Sequence, residues 1–235
     1  MVLPLYLAVT GAEMSAFSVI PSPIAYMACT FSPYTQGLTN IPDRLPEGSM
    51  LILTDRMPCQ GHSADLAAQQ IADAAERLGI ESVLLDFQRP RTPESEVMVQ
   101  AIVRSLPCPV AVTADYAADL TCPVFLSPAP LHVPLEKHVA PWSGREIWLE
   151  AALEQEDITV TEKEALYTPQ FPPDGLTDGF FDECLCCHYQ TRIESNRITF
   201  TLFDTAESLK KKLEHAHSLG ITRAVGLWQE LNHFL

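Results

Sequence analysis

Five acidic residues stand at or just beyond the ends of short apolar runs: Asp55, Asp86, Asp115, Glu150 and Glu230. Carboxylates in such places can move protons or hold a cation. Asp55, Asp86 and Asp115 follow three successive runs, and oxygen ligands so arranged suit a hard ion such as magnesium. In Leu84-Leu85-Asp86-Phe87-Gln88, alternate side chains of a strand share a face, so Leu84, Asp86 and Gln88 point the same way. Arg56 and Arg89 follow acidic or amide strand ends and can clamp an anionic ligand or neutralise those carboxylates. Tyr116 offers a hydroxyl beside Asp115. Glu230 lies two residues beyond Trp228, so a continuing strand would put acid and indole on one face. Cys184-Leu185-Cys186-Cys187-His188 lacks the spacing of paired zinc ligands and reads as buried thiols leading into a hairpin. His215 and His217, two apart, face different ways on a helix, and Lys210-Lys211-Lys212 reads as a solvated face.

These residues are placed by a repeating pattern. Eight apolar runs, Leu3–Val9, Ile24–Cys29, Met50–Thr54, Ser82–Asp86, Val110–Thr113, Pro123–Ser127, Glu146–Leu149 and Ala224–Trp228, read as strands. Helical stripes lie between several of them. Ala67, Ile71, Ala74 and Leu78 share a face, with Ser63 to cap the start and Gly79 the end. Thr92 and Pro93 open a second helix and Pro107 closes it. A third is predicted to start at Asp204, with Glu207 completing a capping box, and to stop at Gly220. Strands alternating with helices imply parallel pairing through crossovers. Eight units over 235 residues leave about 29 residues each, near the size of a (β/α)8 barrel. No glycine-rich phosphate loop supports an open doubly wound sheet. The expected fold is an irregular (β/α)8 TIM barrel, a single domain over 1–235. It lacks long helices between the second and third and between the fifth and seventh runs. His188–Ile193 and Arg197–Phe203 form an antiparallel hairpin inserted before the last helix.

Hydrophobic residues make up 47% and charged residues 19%, enough apolar content for a large core. Fifteen basic against thirty acidic residues give a net charge of −15, which repels nucleic-acid backbones and anionic membranes. No apolar run is long enough to span a bilayer, and the first ten residues read as a strand rather than a leader. Seven scattered cysteines point to a reducing, cytoplasmic setting.

Gly79-Ile80-Glu81-Ser82-Val83-Leu84-Leu85-Asp86-Phe87-Gln88-Arg89-Pro90 resembles the fourth-strand signature of the family-18 glycoside hydrolases, the chitinase family. That strand reads approximately G-x-D-G-x-D-x-D-W-E-x-P. Gly79, Asp86, Phe87 and Pro90 match; Glu81 conserves the outermost acid, Leu84 replaces the inner aspartate, and Gln88 replaces the catalytic glutamate. The segment Gly220–Leu231 is similar to the eighth strand, where the family's tryptophan, here Trp228, floors the sugar subsite. The resemblance implies a barrel whose substrate-assisted chemistry uses the aspartate to orient an acetamide and the glutamate to protonate the leaving oxygen. An amide has no titratable proton, so Gln88 cannot do that work.

The expected protein is a chitinase-like barrel that binds a small saccharide of N-acetylhexosamine type with lost or altered hydrolase activity. Asp86, Gln88 and Glu230 are the candidates for chemistry; Trp228, Asp115, Tyr116, Asp55 and Arg89 are the candidates for substrate contact. No cofactor is expected, and neither nucleic acid nor membrane is an expected partner. A metal-dependent barrel enzyme using Asp55, Asp86 and Asp115, and a non-catalytic interaction protein, are the alternatives.

Overall fold

The computed structural model describes residues 3–17, 23–170 and 176–232; Met1 and Val2 lie outside them. Eight parallel strands close into a ring: β1 (Leu5–Val9), β2 (Ile24–Phe31), β4 (Met50–Thr54), β5 (Ser82–Asp86), β6 (Val110–Thr113), β7 (Val124–Leu126), β8 (Ile147–Glu150) and β14 (Arg223–Leu227). Closure comes from β1, which pairs with β14 through Leu5↔Ala224 and with β2 through Leu7↔Ile24. A two-residue strand, β3 (Leu38–Thr39), pairs antiparallel along β2. The eight apolar runs in the sequence are thus the eight staves of a TIM barrel. They are aliphatic almost throughout because both faces of such a ring are covered.

Alternation divides their side chains into two cores. Tyr6, Ala8, Met50, Ile52, Leu84, Phe125, Trp148 and Val225 fill the interior of the ring, with Ala25 and Ala111. The opposite faces, among them Leu7, Leu51, Leu53, Val83, Leu85 and Leu149, pack under the helices. The amino end of the ring is plugged by charge: Arg223 lies over the Trp148 ring at 4.7 Å and pairs with Glu81 at 2.9 Å, while Trp148 Nε1 donates to Glu146 at 2.9 Å. Glu81 is therefore at the closed end of the barrel. Any ligand must enter from the carboxyl end.

The helices have local causes, beginning with the short α1 (Gly11–Ala16), where Thr10 and Glu13 form a capping box. Helix α2 (Ala64–Leu78) starts where the Ser63 hydroxyl accepts from Leu66 N–H and ends at Gly79, whose φ of 64° suits a residue without Cβ. Helix α3 (Pro93–Ser105) carries Pro93 in its first turn and Thr92 as its cap. Between β6 and β8 the helical layer is thin: one turn at α4 (Ala114–Ala117), and α5 (Leu135–Val139) followed by a 3₁₀ turn over Ala140–Trp142.

Three details depart from the sequence reading. Helix α6 (Ala206–Ser218) is capped by Thr205 with Ser208, not by Asp204 with Glu207. Asp204 is withdrawn from the cap because its fully buried carboxylate accepts from Lys212 Nζ at 2.8 Å and 2.9 Å, so Lys212 is not part of a solvated face. The inserted hairpin is also only part of a larger element. β9 (Gln155–Thr161), β10 (Ala165–Pro169), β11 (Phe180–Asp182), β12 (Cys187–Glu194) and β13 (Arg197–Phe203) form a second, antiparallel sheet in the order β10-β9-β13-β12-β11. It joins the barrel through Leu131, which packs with Cys187 and Leu202. Cys187 is buried there and its thiol is pushed up to about 12 by burial, while His188 stacks on Phe203.

Candidate active site

The residue after β5, Phe87, is buried and meets Phe31 and Tyr116 edge-on, which fixes the strand end. Alternation then sends Leu84, Asp86 and Gln88 inward, as expected. They line a cleft, open to solvent, at the carboxyl end of the ring. Ile52, Phe125, Val225 and Leu227 supply apolar walls, and a third polar side chain, Glu150 at the end of β8, completes the lining.

Gln88 Nε2 donates to Asp86 Oδ1. Burial raises the Asp86 pKa; the Gln88 amide draws it back by stabilising the charged form, and the charge of Asp55 adds to the rise. Glu150 is perturbed further. Burial, together with the charges of Asp86, Glu154 and Glu230, pushes it up to about 7. The Glu150 side chain has no hydrogen bond or ion pair among the described residues. The sequence shows Glu150 as one of five acids at or beyond the ends of apolar runs but does not single it out for the site. The signal that finds it is alternation from Trp148, an interior residue two positions earlier.

Asp55 is 5% exposed and its two oxygens accept from the backbone N–H groups of Gln88 and Arg89, each at 2.9 Å. Its carboxylate anchors the loop that carries Gln88. The Arg89 guanidinium turns back to the carbonyls of Asp55 and Arg56 at 2.8 Å and 2.9 Å, outside the cleft lining. Tyr116 is 3% exposed and its hydroxyl bonds Ser95 at 2.8 Å, under helix α3. Asp115 is exposed on α4, its carbonyl accepting from Arg91. The two residues thus belong to the helical layer. Among the described residues no group of three or more His, Cys, Asp or Glu side chains is placed to hold a metal ion. Asp55 and Asp115 do not join Asp86 in the cleft.

The carboxyl end of β14 also differs from expectation. The strand stops at Leu227, and Trp228 opens a short helix, α7 (Trp228–Leu231). Leu227, in register with Ala8, is the residue that reaches the cleft. Trp228 instead meets Phe17 edge-on at 4.9 Å and packs on the outer core. On a helix, residues two apart point about 200° from each other, so Glu230 does not share the tryptophan's face. Glu230 does approach the acids of the mouth: its charge acts on Glu150 and Glu154, and its Oε2 is buried with no hydrogen-bond partner among the described residues.

No family model matches the chain, and no curated protein matches its sequence. Solved structures share its fold. The spore cortex-lytic enzyme SleL of Bacillus cereus is similar with a TM-score of 0.56 and 13% identity, covering 95% of this chain and 70% of that one. SleL of Bacillus megaterium QM B1551 gives 0.51 and 11%, covering 96% and 70%. A glycoside hydrolase family 18 N-acetylglucosaminidase from Paenibacillus barengoltzii gives 0.51 and 10%, covering 95% and 94%. The chain therefore shares the barrel fold of these proteins. No helix among the described residues is long and apolar enough to cross a membrane.

Proposed function

We propose that the cleft binds a small saccharide containing an N-acetylhexosamine, in a glycoside-hydrolase-like barrel whose hydrolytic chemistry has been altered. The observation that carries this reading is the Asp86–Gln88 pair, joined by a hydrogen bond in a cleft whose walls, Glu150 apart, are aliphatic and aromatic side chains. A sugar needs both kinds of surface. Its hydroxyls and acetamide pair with carboxylate and amide, and its C–H faces rest on apolar groups. The barrel's likeness to an N-acetylglucosaminidase and to cortex-lytic enzymes supports the choice of sugar. Gln88 cannot supply a proton from the position that the resemblance assigns to the acid, a loss of about 100- to 10,000-fold by that route.

Thermal unfolding in the presence of chitooligosaccharides or muropeptide fragments, with and without magnesium, tests the reading. Sugar is expected to raise Tm by binding the folded state, and magnesium alone to leave it unchanged. A rise with magnesium alone would favour the metal-dependent alternative. No rise with either would favour an interaction protein.

A further inference from the structure

Glu150 enters the cleft from β8, three strands round the ring from β5, so it faces the Asp86–Gln88 pair across the mouth. Its situation differs from that of Asp55, Asp204 and Asp86. Asp55 is engaged by two backbone amides, Asp204 by Lys212, and Asp86 by the Gln88 amide. Glu150 has no such partner among the described residues, while it lines space that a ligand can enter. The groups that face it are Asp86 from β5, Glu154 from the segment after β8 and Glu230 from α7, all acidic. Lys212 of α6 lines a crevice on the other side of Glu150 but is held by Asp204.

We propose that Glu150 is the proton donor for hydrolysis of the bound saccharide, with Asp86 as the base that activates water. The assignment rests on the saccharide reading above and moves the acid from the fourth strand of the ring to the seventh. Glu150 gives its proton to the glycosidic oxygen as the bond from that oxygen to C1 breaks. The bonding pair leaves with the oxygen, which departs as a hydroxyl. Water adds to C1, and its surplus proton goes to the Asp86 carboxylate. Solvent then returns a proton to Glu150 and removes one from Asp86, so the sum is one glycoside and one water giving two sugars. The two carboxyls suit opposite roles. Burial raises the pKa of both, but at Asp86 the Gln88 amide draws the rise back by stabilising the charged form, whereas at Glu150 three like charges add to it and push it up to about 7.

Chitotetraose is the probe, with binding measured by calorimetry and cleavage by chromatography of the released sugars. The wild-type chain is expected to bind and cleave it, with kcat falling as pH rises through about 7. Glu150→Gln, similar in size, is expected to bind within about twofold and to lose roughly 100-fold or more in kcat, while Glu150→Asp keeps part of the activity. Unchanged kcat in Glu150→Gln overturns the assignment. If that variant does not fold, the wild-type profile decides, and a kcat flat from pH 5 to pH 9 overturns it. Binding without cleavage by the wild type refutes the donor role and leaves the saccharide reading standing. Neither binding nor cleavage refutes both.

Discussion

Asp55 offers the sharpest test of how the site is held. Its side chain is buried and accepts two backbone N–H donors at 2.9 Å, from Gln88 and Arg89, so it links the end of β4 to the loop after β5. Asp55→Asn keeps the shape and one acceptor oxygen but turns an NH2 group toward the second amide. One charge-assisted hydrogen bond is lost and a buried N–H is left unmade, a cost of about 3 kcal/mol. For a chain of 235 residues each kcal/mol shifts Tm by about 2–4 °C, so the midpoint is expected to fall by about 6–12 °C. Saccharide affinity should weaken as well, since Gln88 would no longer be held in place. Thermal unfolding followed by circular dichroism measures the first effect and calorimetry the second. Asp115→Asn, on an exposed carboxylate, is the control and is expected to stay within about 0.5 kcal/mol. A Tm for Asp55→Asn within about 2 °C of wild type would refute the anchoring role, as would an equal fall in the control.

Other substitutions probe the rest of the account. Because the Glu150 pKa is raised on folding, the native state holds a proton that the unfolded chain releases near pH 4.5, and stability contributed by this group is lost as pH rises from there through about 7. Glu150→Gln should therefore match wild-type Tm near pH 4 and exceed it above pH 8, and parallel curves would contradict the shift. Lys212→Met leaves the Asp204 carboxylate buried without its cation and should cost about 3–5 kcal/mol in urea unfolding. A loss below about 1 kcal/mol would show that the pair is solvated. In Gly226→Ala, the new Cβ would meet the Leu231 side chain and the Ala151 carbonyl oxygen. That variant should lose about 1–3 kcal/mol in the same assay, and wild-type stability would show that the two chain segments are not closely packed.

The barrel is legible in the sequence because each stave is a short apolar run bounded by polar or proline-rich residues, and a ring covered on both faces leaves few polar interruptions. The positions of Asp86 and Gln88 follow from the same two-residue period. What is not legible depends on contacts distant in sequence or on where a strand stops. Asp55 reads as a ligand because its true partners, the amides of Gln88 and Arg89, lie 33 and 34 residues away. Trp228 and Glu230 share a face only if the strand continues past Leu227, and there the chain turns into α7. β10 is exposed along its whole length and so carries no burial pattern that would mark it as part of a sheet. Chain position alone puts Tyr116 at the mouth, whereas its hydroxyl turns to Ser95 in the helical layer.

The central claim is that the mouth of the ring is a saccharide site built around Asp86, Gln88 and Glu150. A crystal structure of the protein soaked with chitotetraose tests it most directly. The account predicts a sugar ring in the cleft, with a hydroxyl or acetamide within about 3.2 Å of Asp86 or Gln88 and a glycosidic oxygen within reach of Glu150. An empty cleft at saturating sugar, or sugar bound only against the antiparallel sheet, would contradict it.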